Sequence, residues 1–131
     1  MIRTFINTRK QWDNVTQINS ETEEVKIYAV DKELGFPFSE YTTTVTEMGW
    51  RSTDEFINRM KRTSEYEADT EQQTEKEIQG LLKLAKYRNE HNCHTCIILK
   101  DGTKHNDIVE RLKVYGIEEE KAVEMINDFI K

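Results

Sequence analysis

Both cysteines of this chain, and two of its three histidines, fall inside one six-residue window, His91-Asn92-Cys93-His94-Thr95-Cys96. Zinc takes four ligands of the Cys, His or carboxylate type, and His91, Cys93, His94 and Cys96 supply the right atoms. Geometry is the objection. Side chains alternate along an extended segment, so His91 and Cys93 would point one way and His94 and Cys96 the other unless the segment wraps around the ion. Zinc sites of the finger type also pair two separated knuckles, whereas here the sole distant imidazole is His105. A redox pair would want Cys93 at a helix N-terminus, where the dipole lowers the thiol pKa, yet the window runs into an apolar, strand-like stretch. The plainer reading packs Cys96 as a small apolar residue beside Ile98 and leaves His91, Cys93 and His94 in a polar helix-to-strand connection. No metal and no cofactor is the expectation, with zinc as the alternative.

Other catalytic signals are thin. Glu24-Val25-Lys26, with Asp13 upstream, faintly resembles the acid plus Glu-x-Lys string of metal-dependent nucleases, which requires the acids to converge on a divalent cation. Asp13 is expected in a helix, which opposes convergence. There is no Gly-rich phosphate loop, nucleophile elbow or HExxH string. The chain reads as non-enzymatic.

Charge points to binding instead. The chain carries 25 acidic and 19 basic residues, a net charge of -6, which disfavours phosphate backbones and anionic membranes and favours basic partners. The acids concentrate over residues 64 to 77, where six stand against the single Lys76. The ordinary reading of that tract is a solvated helix start or loop. Its functional reading is a phosphate-like surface for an Arg- and Lys-rich partner, built from Glu65, Glu67, Asp69, Glu71, Glu75 and Glu77 with Tyr66 among them. Phe36 and Phe38, in the turn Leu34-Gly35-Phe36-Pro37-Phe38, are either core residues or apolar anchors for the same partner.

These side chains need elements to position them. Phe5, Trp12, Val15 and Ile18 lie roughly on one helical face, so the spacing predicts a helix over about 8 to 19, capped by Thr8. Val25 to Val30 alternates as a strand, Leu34 to Phe38 breaks it, and the β-branched run Tyr41 to Thr46 resumes it, making a hairpin with a long loop. Ser52-Thr53-Asp54-Glu55 is a capping box before a short helix with Phe56, Ile57 and Met60 inward. Ile78, Leu81, Leu82 and Ala85 have the i, i+3, i+4, i+7 spacing of a long amphipathic helix, which Gly80 weakens by about 1 kcal/mol against Ala. Thr95 to Lys100 reads as a buried strand that would join the N-terminal sheet and tie both halves together.

The chain closes on two apolar-striped helices, about 106 to 116 and 118 to 131, joined across Gly116. Their layout has the outline of a helix-turn-helix pair, but the second helix opens with Glu118, Glu119 and Glu120, which repel phosphate. Were the pair to bind nucleic acid, Arg111, Lys113, Lys100 and Lys104 would be the better contacts.

The expected fold is therefore α+β, one domain over 1 to 131. It holds a small antiparallel sheet of about three strands packed with four to five helices, and a C-terminal helical hairpin. No apolar run is long enough to span a bilayer and the start shows no secretory signal, so a cytoplasmic protein is expected. A composition rich in Ile, Thr, Glu and Asn, with one proline, suits an AT-rich bacterial or phage gene. The expected function is non-catalytic: an acidic interaction protein that inhibits or modulates a basic, nucleic-acid-processing partner. The alternatives are a nucleic-acid-binding regulator using the C-terminal helices and a small zinc-stabilised module.

Overall fold

The computed structural model describes residues 1–91 and 106–130, which are α+β. Five strands form one sheet: β1 (Ile2–Thr8), β2 (Trp12–Asn19), β3 (Glu24–Asp31), β4 (Pro37–Thr44) and β5 (Tyr66–Ala68). The order is β4-β3-β2-β1-β5, with every neighbouring pair antiparallel. Four helices accompany it: α1 (Thr53–Thr63), α2 (Thr70–Glu90), α3 (Asn106–Val114) and α4 (Glu119–Ile130). None of the described helices is long and apolar enough to cross a membrane. The described residues group into two compact units. One comprises Met1–Glu33 with Pro37–Glu75 and the other Leu34–Phe36 with Lys76–Lys131.

In the sheet unit the main departure from expectation is at its start. The helix expected over 8 to 19 is instead the end of β1, a turn and β2. Val15 and Ile18 are three apart and both fully buried, which mimics a helical stripe. In fact they lie on opposite faces of β2, each in its own apolar cluster, Val15 with Ile6, Tyr28 and Val30, and Ile18 with Phe5, Val25 and Phe56. A strand buried on both faces loses the alternation that would betray it. Thr8, the expected cap, ends β1. The short β5, inside the acidic tract, brings the strand count to five rather than three.

The expected hairpin of β3 and β4 is present, with β4 beginning earlier, at Pro37. Helix α1 begins where the capping box placed it: the Ser52 hydroxyl accepts the Glu55 amide at 3.1 Å. Its Phe56 and Ile57 cover one end of the sheet face that carries Phe5, Ile18 and Val25, and Trp50 meets Phe56 edge-on at 5.8 Å. On the other face a chain of hydroxyls anchors the start of α2 to β1. Thr70 Oγ1 donates to the Ile2 carbonyl at 2.9 Å, so its one proton is committed, and it therefore accepts from buried Thr4 at 2.8 Å. Thr4 in turn accepts from Gln17 at 3.2 Å.

The helical unit packs Leu81, Leu82 and Ala85 of α2 against Ile108, Val109 and Leu112 of α3 and Ala122 and Ile126 of α4. The C-terminal hairpin forms as expected, and Gly116 turns it at a φ of 85°, a region that favours glycine. Gly80 is not merely a weak point. A Cβ there would lie 2.1 Å from the carbonyl carbon and oxygen of Gly35, so its absence lets the segment 34–36 cross α2 backbone to backbone. The expected strand over 95 to 100 lies outside the described residues.

Candidate functional site

The fold engages several carboxylates of the 64–77 tract. Glu65 accepts from the Thr8 hydroxyl at 2.7 and 2.8 Å and from its amide at 3.2 Å. Glu67 faces Arg3 as a two-point pair, Nε to Oε2 at 2.8 Å and Nη2 to Oε1 at 2.6 Å, and that hydrogen-bonded guanidinium holds its carboxyl below the usual range. Asp69 caps α2 by accepting the Gln72 amide at 3.0 Å. Glu71 and Glu75 are exposed on the first turns of α2. Tyr66 is 49% exposed, and what burial it has, helped by Asp13 and Glu65, raises its hydroxyl pKa.

Glu77 leaves the expected surface altogether, being 1% exposed. In the helical unit it accepts from the Tyr115 hydroxyl at 2.5 Å, and Arg111 Nη2 donates to that same hydroxyl at 3.3 Å. Burial, reinforced by the Glu77 charge, pushes the Tyr115 hydroxyl well above the ordinary tyrosine range. A carboxylate against a phenol has the form of an acid-base pair, but so closed a carboxylate offers a substrate no approach. Phe36, the other expected contact in this unit, packs half-buried against the same helical core.

The remaining chemical candidates do not assemble. Asp13 stands opposite Val30, six residues along β3 from Glu24, about 20 Å at the rise of a strand. The acids of the nuclease-like string therefore do not converge. His91 follows α2, with its Nδ1–H donating to the Tyr87 carbonyl at 2.8 Å and its ring stacked on Tyr87 at 4.0 Å. Cys93, His94 and Cys96, with Lys100, Lys104 and His105, lie outside the described residues. Among the described residues no three His, Cys, Asp or Glu side chains gather as a metal set.

What the sheet unit does gather is aromatic. Phe38 and Tyr41 are three apart on β4, and in a regular strand they would face opposite ways. The pairing shifts between Ile27 and Ala29: Tyr41 opposes Ile27 and Phe38 opposes Ala29, so two residues of β4, Ser39 and Glu40, stand against the single Tyr28. This is a β-bulge, and Ser39 takes the left-handed φ of 57° to make it. Phe38 and Tyr41 thereby reach one face, beside Ile27 and Ala29. Trp12 and Asn14 on β2 share that face through the continuous register, and the Trp12 indole N–H donates to Asn14 Oδ1 at 2.9 Å, fixing the ring.

The outcome is a concave groove of about 350 Å³, beyond the part of the face that α1 covers. Trp12 and Phe38 are each 39% exposed and Tyr41 is 61% exposed. Aromatic rings that stand exposed on one sheet face are of the type that anchors binding partners. The charge of the unit matters equally. The sheet unit holds fifteen acidic and nine basic residues, and the helical unit ten of each, so the whole net charge of -6 belongs to the sheet unit.

No family model, curated protein or solved structure matches the chain. The site thus rests on geometry alone. Of its residues only Phe38 was singled out from the sequence. Trp12 was assigned to a helix, and Ile27 and Tyr41 to strands without a shared face. The available signal is Pro37-Phe38 followed by Ser39-Glu40, a polar pair interrupting an aromatic strand.

Proposed function

We propose that this is a non-catalytic binding protein whose sheet unit engages a basic protein partner, acting in the cytoplasm to inhibit or modulate a nucleic-acid-processing factor. One observation carries the reading: three exposed aromatic rings share one face of the unit that holds the whole net negative charge. Aromatic anchors supply contact energy, and a field of one sign supplies steering and partner choice. Glu65, Asp69, Glu71 and Glu75 remain on the surface of this same unit and extend the negative field, with the neutral Tyr66 exposed among them. Glu67 contributes less, since Arg3 offsets it.

The test is stoichiometric capture of the partner from the source cell, compared between the native chain and a Trp12→Ala, Tyr41→Ala double variant. Both substitutions are at exposed positions, so the variant should keep its fold by circular dichroism. The native chain should retain a basic protein that is lost with the variant and weakened by salt. Equal recovery of the same protein on both chains would refute the assignment of the surface. A homogeneous small-molecule product in an activity screen would refute the non-catalytic reading.

A further inference from the structure

We infer that the groove holds a cationic side chain, an arginine guanidinium of the basic partner, seated between the rings of Trp12, Phe38 and Tyr41. This deepens the reading above and rests on it. Three ligand chemistries stack on aromatic faces: nucleobases, apolar side chains and cations. Nucleobases arrive on a phosphate chain, which a unit of net charge -6 repels. An apolar side chain is neither attracted nor repelled by that charge. A cation alone gains twice, from the negative faces of the rings and from the surrounding field.

The local register agrees with that choice. Asp31 is the β3 partner of Trp12 and so shares its face, which places an acidic residue beside the groove. A planar guanidinium suits a slot with rings on two strands better than a compact ammonium does, because it can stack and still donate hydrogen bonds at its edge. Asn14 and Ser39 also line the groove, and a side-chain oxygen of either is of the acceptor type that a guanidinium edge requires. Ser39 also holds the left-handed backbone on which the arrangement depends, a departure from ordinary conformations of the kind concentrated at binding sites.

The experiment titrates the isotope-labelled full chain with capped glycine-serine heptapeptides whose central residue is arginine, norleucine or glutamate, and with a short oligothymidine, reading amide and indole shifts by NMR. The Trp12 indole N–H, bonded to Asn14, is a reporter inside the site. Arginine should give saturable shifts confined to Trp12, Asn14, Ile27 and Tyr41, weakened by raising salt from about 50 to 500 mM. Trp12→Leu keeps an apolar side chain but removes the π-face, and should weaken the arginine peptide about tenfold while leaving norleucine unchanged.

Norleucine binding as well as arginine, or better, would overturn the cation while leaving a protein-binding groove in place. Shifts spread evenly over the exposed carboxylates would overturn the groove as the seat of the charge. Binding of oligothymidine alone would overturn both this inference and the protein-partner reading. Absence of site-specific shifts with any probe at millimolar concentration would overturn the groove as a binding site.

Discussion

Replacing Gly80 by alanine sets two principles against each other. Helix propensity alone favours the change by about 1 kcal/mol, because glycine in a helix interior loses backbone entropy that alanine does not. The structure reverses the sign. The added Cβ would lie 2.1 Å from both the carbonyl carbon and oxygen of Gly35 and 2.5 Å from the Phe36 amide nitrogen, all backbone atoms that cannot rotate away. Relief requires the segment 34–36 to lift from α2, carrying Phe36 out of its packing against the helical core. Overpacking of this kind costs about 1–3 kcal/mol, and detaching Phe36 adds to it, so a net loss of about 1–3 kcal/mol is expected after the propensity gain. For a chain of this length that is a fall in Tm of about 4–11 °C. Urea and thermal unfolding followed by helical circular dichroism measure it, with Gln79→Ala, exposed on the same helix, as the control for propensity. A Gly80→Ala chain as stable as the native one, or more so, would refute the close approach.

Tyr115→Phe should cost about 1.5–3 kcal/mol, since it deletes a hydrogen bond to the buried Glu77 carboxylate, and chemical denaturation will measure it. The raised pKa of Tyr115 also sets a pH dependence: the folded state keeps its proton where the unfolded state releases it. Stability should therefore decline as pH rises above about 10, and less steeply in the phenylalanine variant. Identical alkaline profiles would refute that assignment. Ser52→Ala removes the cap of α1 and should cost about 1 kcal/mol, read from urea midpoints, whereas Ser52→Asp should restore most of it.

How much of this was legible follows from which faces the elements bury. Helix α2, the capping box at Ser52 and the hairpin at Gly116 bury one stripe each and carry local start or stop residues, so their periodicity is unambiguous. Strand β2 buries Val15 on one face and Ile18 on the other, and the resulting spacing of three imitates a helix. Strand β5 has three residues and exists through its pairing with Thr4, Phe5 and Ile6, a partner about sixty residues away that no local pattern announces. Glu77 reads as a surface residue within a run of acids, yet it precedes Leu81 by four residues, which places it on the buried stripe of the helix. The groove was least visible, because it depends on register across three strands and on one irregularity in the last of them.

That irregularity gives the surface an unusual mode of inheritance. In β4 the bulge absorbs the one extra position at Ser39 and Glu40, so a single-codon deletion there would leave Phe38 and Tyr41 two apart in a regular strand and still on one face. Lineages could thus keep the ring trio through a change in strand length, as long as bulge and extra residue are lost together. In comparing sequences that share this fold, the two rings of this strand should be sought three apart where the bulge is kept and two apart where it is lost.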